Sequence, residues 1–204
     1  KVGKYYIQMN QSEFIAFKPG DLSSYTFNIA GSHTDSPCLH IKGNSLLDSP
    51  EGKRINVERY GGLLLYSMLD IPLKIAGRVM IKKDEYIESR IIATDFNVNI
   101  PSLCIHHNPT ANKDLSLSVQ NDMLPLIGDC NDLYKTIYPE AEILDADLYC
   151  VSDIEPSYSG IKKEFLVSPR IDNLTSVYSS INGLIKANNK GIAIVFASDN
   201  EEIG

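Results

Sequence analysis

The sequence contains no apolar run of the length that crosses a bilayer, which is about 18 to 20 residues. Its longest apolar stretch, residues 191–197, is bounded by Lys190 and Asp199. Basic residues are scattered, and 19 lysines and arginines stand against 26 acidic residues, for a net charge of −7. Nucleic-acid-binding surfaces need clustered basic side chains. We therefore expect neither a membrane span nor a nucleic-acid partner, and a peptide or small molecule as substrate.

Cysteine is scarce, and its four positions are far apart: Cys38, Cys104, Cys130 and Cys150. The sequence lacks the closely spaced CxxC pairs that build structural zinc sites. It also lacks the cysteine density of a disulfide-stabilised secreted domain. We predict reduced thiols in a reducing compartment and a cytoplasmic location.

The sequence does contain a pattern of strands and helices typical of α/β proteins. The β-prone residues 25–30 lead into the loop GSHTDSP at 31–37, and residues 174–187 have apolar side chains at helical spacing. Residues 190–197 form an apolar run typical of a parallel strand buried on both faces, followed by an acidic tip at 199–202. In open α/β sheets, functional sites form beyond the carboxyl ends of the strands. We expect the polar tips of these segments to meet there.

The middle of the chain has a different pattern, because short β-prone pieces are separated by turn residues. We predict strands at 73–82, 86–94 and 148–151, a short helix or strand at 60–69, and a surface loop at 108–122. This pattern indicates an inserted β-rich domain at residues 53–163. Residues 1–52 and 164–204 are then a partial catalytic α/β domain.

Three polar clusters in this arrangement suit metal chemistry. Imidazole and carboxylate groups together are the ligands of divalent transition metals in hydrolytic sites. In His33-Thr-Asp35, the aspartate can orient the histidine by accepting a hydrogen bond from the ring nitrogen that does not bind metal. Asp172 has two oxygens that could bridge two metals. Of the adjacent Glu201 and Glu202, one could bind a metal while the other accepts a proton from the attacking water.

Each cluster also has an ordinary interpretation. His33 alone could be a hydrogen-bonded loop histidine, Asp172 a helix cap, and Glu201 with Glu202 a solvated acidic pair. Their shared position at the edge of one predicted sheet favours a metal site over three unrelated features.

Several strings in the sequence resemble the aspartyl aminopeptidase family of zinc metallopeptidases, in the same order and over nearly the whole chain. They are GSHTDSPC at 31–38, YGG at 60–62, LKIAGRV at 73–79, SPRIDNL at 168–174 and DNEEIG at 199–204. A further string, IPSLCIHH at 100–107, resembles part of the inserted domain of that family.

The resemblance implies a role for each candidate residue. His33 and Glu202 would each bind a metal, Asp172 would bridge two divalent metal ions, with zinc favoured, and Glu201 would be the general base. Asp35 would orient His33, as its spacing also suggests.

The resemblance also implies an architecture and an assembly. An α/β/α catalytic domain would be interrupted by a dimerisation domain, and dimers would assemble into a larger closed, tetrahedral particle. His106 would project into the active site of a neighbouring subunit, although its sequence context alone favours a surface histidine.

The remaining metal ligands of the family, an Asp and a His, lie downstream of the Glu-Glu motif, so we expect this chain to be a fragment that holds metal weakly. We also expect residues 192–197 to be an open edge strand. The predicted function is a metal-dependent aminopeptidase that releases the N-terminal residue, acidic or neutral, from peptides. The alternatives are an inactive assembly or cargo-binding module and a related paired-metal peptidase or deacylase.

Overall fold

The computed structural model describes residues 4–21, 23 and 25–204. In chain order, the strands are β1 (Tyr5–Met9), β2 (Glu13–Pro19), β3 (Phe27–His33), β4 (Cys38–Ser49), β5 (Gly52–Tyr60), β6 (Leu73–Lys82), β7 (Ile87–Ala93), β8 (Leu126–Gly128), β9 (Ile143–Ser152), β10 (Ser157–Ser159), β11 (Phe165–Val167) and β12 (Ile192–Ser198). The α-helices are α1 (Val119–Asp122), α2 (Leu133–Ile137) and α3 (Ile171–Lys186), with 3-10 helices at Leu65–Met68 and Glu201–Ile203. In the part of the chain that the structure describes, no helix has the length and apolarity needed to cross a membrane.

The chain divides into two compact units. The first combines Lys1–Ser36 with Ser168–Gly204, and the second is Pro37–Val167. The sequence had suggested divisions at 52/53 and 163/164. The first division lies earlier in the structure because β4 pairs with β5 from Cys38 onward, so that the chain belongs to the sheet of the second unit from Pro37.

The first unit is built on a mixed sheet of four strands in the order β1-β2-β12-β3. β12 runs parallel to β3 and antiparallel to β2. Val195 and Ala193 of β12 are buried with Leu184 of α3, and Ile181 packs against the same cluster. A mixed α/β fold is therefore confirmed.

Two predictions about the last strand are wrong. β12 is not an open edge, because it is paired on both sides, and the edge strands of this sheet within the described residues are β1 and β3. The side chains of β12 are also not buried on both faces of the sheet. Fully buried residues such as Val195 alternate along the strand with partly exposed ones such as Ile194.

The second unit contains a six-stranded antiparallel sheet in the order β7-β6-β9-β4-β5-β8. One face of the central strands carries the core, as side chains at alternate positions are fully buried: Leu39, Ile55, Val57, Leu73, Ile75, Val79, Ile81, Leu148 and Cys150. The prediction of a strand at 73–82 is confirmed, and 60–69 contains the 3-10 helix Leu65–Met68. The loop predicted at 108–122 is confirmed for residues 108–118, but its last four residues form α1, whose first turn is closed by hydrogen bonds to the carbonyl oxygen of Ser118.

Gly77 allows two strands of this sheet to approach closely. It lies in β6 opposite Leu148 of β9, with a positive φ of 154°. A Cβ atom there would collide with the carbonyl oxygen of Asp147 and lie 2.9 Å from the Cα atom of Leu148. We expect Gly77→Ala to lower the free energy of unfolding by about 3 kcal/mol, because backbone strain and overpacking each cost about 1 to 3 kcal/mol.

Chemical denaturation measures this loss, and Gly43→Ala in β4 is the matched control. A Cβ atom at Gly43 meets no atom within 4 Å. If both variants unfold at the same denaturant concentration, the close approach at Gly77 does not limit stability.

Candidate metal centre

The site begins where two parallel strands of the first unit end. His33 is the last residue of β3 and pairs in register with Ser198, the last residue of β12. The backbone N–H of Thr34 donates to the carbonyl oxygen of Ser198 at 2.8 Å, and Thr34 Oγ1 lies 2.6 Å from the carbonyl oxygen of Ser12. Thr34 therefore ties together the start of the loop after β3, the end of β12 and the residue before β2.

The His33 ring is buried and held from one side. Its Nδ1 atom lies 3.1 Å from the carbonyl oxygen of Asp35 and 3.2 Å from Asp35 Oδ1. Both partners are acceptors, so Nδ1 carries a hydrogen and donates to them. In the neutral ring, Nε2 then keeps its lone pair and is the nitrogen that can bind a metal.

Asp35 also organises the acidic pair at the other end of the chain. Its Oδ1 accepts from the backbone N–H of Glu201 at 3.2 Å, and its Oδ2 accepts from the N–H of Glu202 at 3.1 Å. The turn that brings these two N–H groups to one carboxylate begins at Asn200, which has a left-handed φ of 67°. One carboxylate thus fixes both the histidine and the glutamate backbone.

The free side of the His33 ring faces carboxylate oxygens. Nε2 lies 3.4 Å from Asp172 Oδ1 and 3.7 Å from Glu201 Oε2. His33, Glu201 and Glu202 can each offer one ligand atom such that these atoms all lie within 4.8 Å of one another. Ligands about 2.1 Å from a tetrahedral zinc ion lie about 3.4 Å from each other, which is close to the spacing seen here. The residues present therefore fit a metal ion that binds between them.

The charge around the ring also favours a cation. Burial of the ring is the largest single influence on the pKa of His33 and lowers it. The hydrogen bond to the Asp35 backbone, together with the negative charges of Glu201 and Asp35, outweighs burial and raises the pKa above the usual histidine range. A lone pair that faces acceptor oxygens is repelled unless a proton or a metal ion lies between them.

Asp172 reaches the site from the start of α3. The assigned helix begins at Ile171, but Asp172 and Asn173 have non-helical dihedral angles, and the peptide bond between them is cis. The Ser36 hydroxyl donates to the carbonyl oxygen of Asp172 at 3.3 Å. Asn173 Oδ1 is buried without a hydrogen-bond partner among the described residues. The carboxylate of Asp172 is largely exposed and is available to a ligand.

The structure brings all the predicted residues of the first unit into this one site: His33, Asp35, Asp172, Glu201 and Glu202. His106 lies in the second unit, on an exposed turn. The metal-binding and catalytic roles assigned to these residues stay predictions, as does the role of His106.

Sequence reasoning missed the residues that hold the site together. Thr34 is not among the residues that the sequence singles out for the site, although it lies between His33 and Asp35 in the loop that leaves the strand. The two N–H groups that Asp35 binds were also missed. The sequence signal for this turn is the asparagine at position 200, because asparagine tolerates the left-handed conformation that Asn200 adopts.

Comparison with known proteins agrees with the geometry. The family model described as aminopeptidase I zinc metalloprotease (M18) matches residues 1–204. A probable M18 family aminopeptidase 2 from Clostridium novyi is 36% identical over 224 residues, which cover 98% of this chain and 51% of that protein. The chain spans about half the length of the curated relatives it matches.

Solved structures give the same result. The chain superposes on Chaetomium thermophilum mApe1 with a TM-score of 0.84 and 25% identity, covering 99% of this chain and 52% of that one. The S. cerevisiae mApe1 dodecamer matches with a TM-score of 0.78 and 27% identity, covering 99% and 50%. The resemblance to aspartyl aminopeptidases is confirmed, because that family is the M18 family. The chain belongs to the aminopeptidase I zinc metalloprotease (M18) family.

Proposed function

We propose that the full-length protein is a metal-dependent aminopeptidase that removes the N-terminal residue from peptides by hydrolysis, with its site in the first unit. The observation that carries this proposal is the arrangement around His33. Asp35 holds Nδ1, while Nε2 faces oxygens of Asp172 and Glu201 at 3.4 and 3.7 Å. Neutral hydrogen bonding alone does not explain a ring nitrogen that faces two carboxylates.

In the proposed site, His33 and Glu202 would each hold one of two zinc ions, and Asp172 would contribute its carboxylate to both. Bound zinc ions supply Lewis acidity, which polarises a carbonyl group and makes a bound water more acidic. Asp172 suits the bridging position because its carboxylate is exposed at the start of α3 and one of its oxygens faces His33. The family description as a zinc metalloprotease supports the choice of metal.

Glu201 is the proposed general base, which takes a proton from the attacking water. The hydrogen bond from its backbone N–H to Asp35 fixes the position from which its side chain extends. Distance alone does not show which glutamate is the base and which is the metal ligand. Glu201 Oε2 lies 3.7 Å from His33 Nε2, and both glutamates can offer an oxygen within 4.8 Å of the His33 ligand atom. The family resemblance favours Glu201 as the base, and substitution can test the assignment.

The experiment that tests the proposal uses the full-length protein. We expect the purified protein to hold metal and to hydrolyse peptides that have a free N-terminus. The same peptides with an acetylated N-terminus are the matched control, and they should remain intact. Peptides that differ only in an acidic or neutral first residue then identify the preferred substrate. A protein that contains metal but cleaves neither set is not an aminopeptidase.

We further propose that the second unit mediates dimerisation and that dimers assemble into a larger closed particle. One of the similar solved structures is a dodecamer, which supports assembly in this family. The proposed location is the cytoplasm, and it is supported by the sparse, widely spaced cysteines, which form no disulfide among the described residues. Cell fractionation with antibody detection tests the location.

His106 is proposed to reach the active site of a neighbouring subunit. We expect His106→Ala to lower kcat about tenfold or more in the assembled enzyme, because loss of one transition-state hydrogen bond costs about 10²- to 10³-fold in known cases. Metal content and oligomer size should not change. Normal kinetics would contradict the role and make His107 the next candidate.

A further inference from the structure

A short turn in the second unit holds a thiol against an imidazole. The backbone N–H groups of His107 and Asn108 both donate to the carbonyl oxygen of Cys104, at 2.9 and 3.1 Å. These bonds bring Cys104 Sγ to 3.6 Å from His107 Nδ1. Both side chains are exposed. Cys104 is therefore a solvent-accessible thiol paired with a group that can accept its proton.

The other three cysteines have different surroundings. Cys38, Cys130 and Cys150 are buried, with 9%, 2% and 0% of their surface exposed. Burial, with a smaller contribution from Cys38, raises the pKa of the Cys150 thiol far above its usual range. Cys130 Sγ lies 3.3 Å from Thr136 Oγ1, a hydroxyl that is not a base at neutral pH. Of these four thiols, Cys104 is therefore the most accessible to a reagent in solution.

We propose that Cys104 is a site of mixed-disulfide formation with low-molecular-weight disulfides, and that His107 is the base of this reaction. The Cys104 proton moves to His107 Nδ1, and the thiolate attacks one sulfur of the disulfide. A bond forms between Cys104 Sγ and that sulfur while the original S–S bond breaks. The second sulfur leaves as a thiolate with the electron pair. Cys104 is oxidised, and half of the small disulfide is reduced.

The position of Cys104 gives the modification a consequence for activity. It lies two residues before His106, which is proposed to act at the site of a neighbouring subunit. A substituent on Cys104 would displace this turn and lower hydrolysis until a reductant removes it. This consequence rests on the proposed function, whereas the thiol chemistry does not.

The test is the rate of reaction of the folded, full-length protein with an aromatic disulfide whose released thiolate absorbs visible light. A free thiol is only a few per cent ionised at neutral pH, so a base can raise the rate by at most about thirtyfold. The lower nucleophilicity of a more acidic thiol removes part of this gain. Among the four cysteines of this sequence, we expect Cys104 to react fastest, as assigned by peptide mapping, and its signal to be lost in Cys104→Ser. His107→Asn should slow the Cys104 reaction about three- to tenfold, and His106→Asn should not.

Three results would overturn the proposal: faster labelling of Cys38, Cys130 or Cys150 than of Cys104, slow labelling of all four, or equal Cys104 rates in His107→Asn and the unmodified sequence. Circular dichroism of each variant shows whether a slow rate reflects the lost base rather than a changed fold. The consequence for activity has its own readout, because the small disulfide should inhibit the original enzyme reversibly and leave Cys104→Ser unaffected. Full activity after complete modification of Cys104 contradicts that consequence. Absence of peptidase activity before modification instead contradicts the proposed function.

Discussion

Replacing Glu201 with glutamine is expected to remove most peptide hydrolysis by the full-length protein while the two proposed metal ions stay bound. An amide cannot accept the proton of the attacking water, and general base catalysis is worth about 10²- to 10⁴-fold in rate. The backbone of the variant should keep its place, because the bond to Asp35 Oδ1 is made by the Glu201 N–H group and not by its side chain. Metal analysis and kcat, measured on the same sample, test both parts.

Glu202→Gln is the matched control, since it makes the same change at the next residue. Its N–H group is also held by Asp35, so the two variants keep equivalent backbone contacts. We expect this variant to lose metal affinity, because a neutral amide oxygen is a weaker zinc ligand than a carboxylate. If Glu201→Gln is instead the metal-depleted variant, the roles of the two glutamates are reversed.

Asp35→Asn is expected to lower metal affinity about 10- to 100-fold, although Asp35 is not itself a proposed ligand. Groups that orient metal-binding histidines have effects of this size. Asp35 accepts three N–H groups, from His33 Nδ1, Glu201 and Glu202. An asparagine has only one side-chain oxygen, so its NH₂ group must face one of these donors.

Competition with a chelator of known affinity measures this change. Asp21→Asn removes the same charge at the opposite end of the sheet. There the backbone of Asp21 forms an isolated parallel β-bridge with that of Lys190, just before β12. The control should bind metal as the original sequence does. Unchanged metal affinity in Asp35→Asn would show that the histidine and the glutamate turn are positioned without this carboxylate.

The location of the site could be predicted from the sequence because it depends on local signals. The β-prone residues 25–30 and the apolar run at 190–197 predict strands that end close to His33 and Ser198, and the carboxyl ends of parallel strands lie at one edge. The bonds from Asp35 to the backbone of Glu201 and Glu202 could not be predicted in this way. They join residues that are 166 and 167 positions apart, and they use backbone groups that every residue except proline carries.

The division between the units also depended on long-range pairing. β4 contains the polar Lys42 and Asn44 and the flexible Gly43, which obscure the alternation expected of a strand. Its regular pairing with β5 is interrupted between Ile41 and Leu46. The expectation of an open edge at residues 192–197 rests on the idea that later strands are missing, and nothing in residues 13–19 shows that β2 pairs with this strand instead. Pairing partners are chosen by the buried surface that results, and a single strand does not carry that information.

The order of strands along the chain also affects how the protein emerges from the ribosome. β2 and β3 are synthesised early, but the strand that joins them, β12, follows the entire second unit. Every strand of the second unit is available before β12 exists. During that interval the apolar face of β2, including Phe14 and Ala16, lacks the strand and helix that cover it in the folded unit. Exposed apolar strands of this kind are prone to aggregation. The insertion therefore makes the candidate metal centre the last part of the described chain that can assemble.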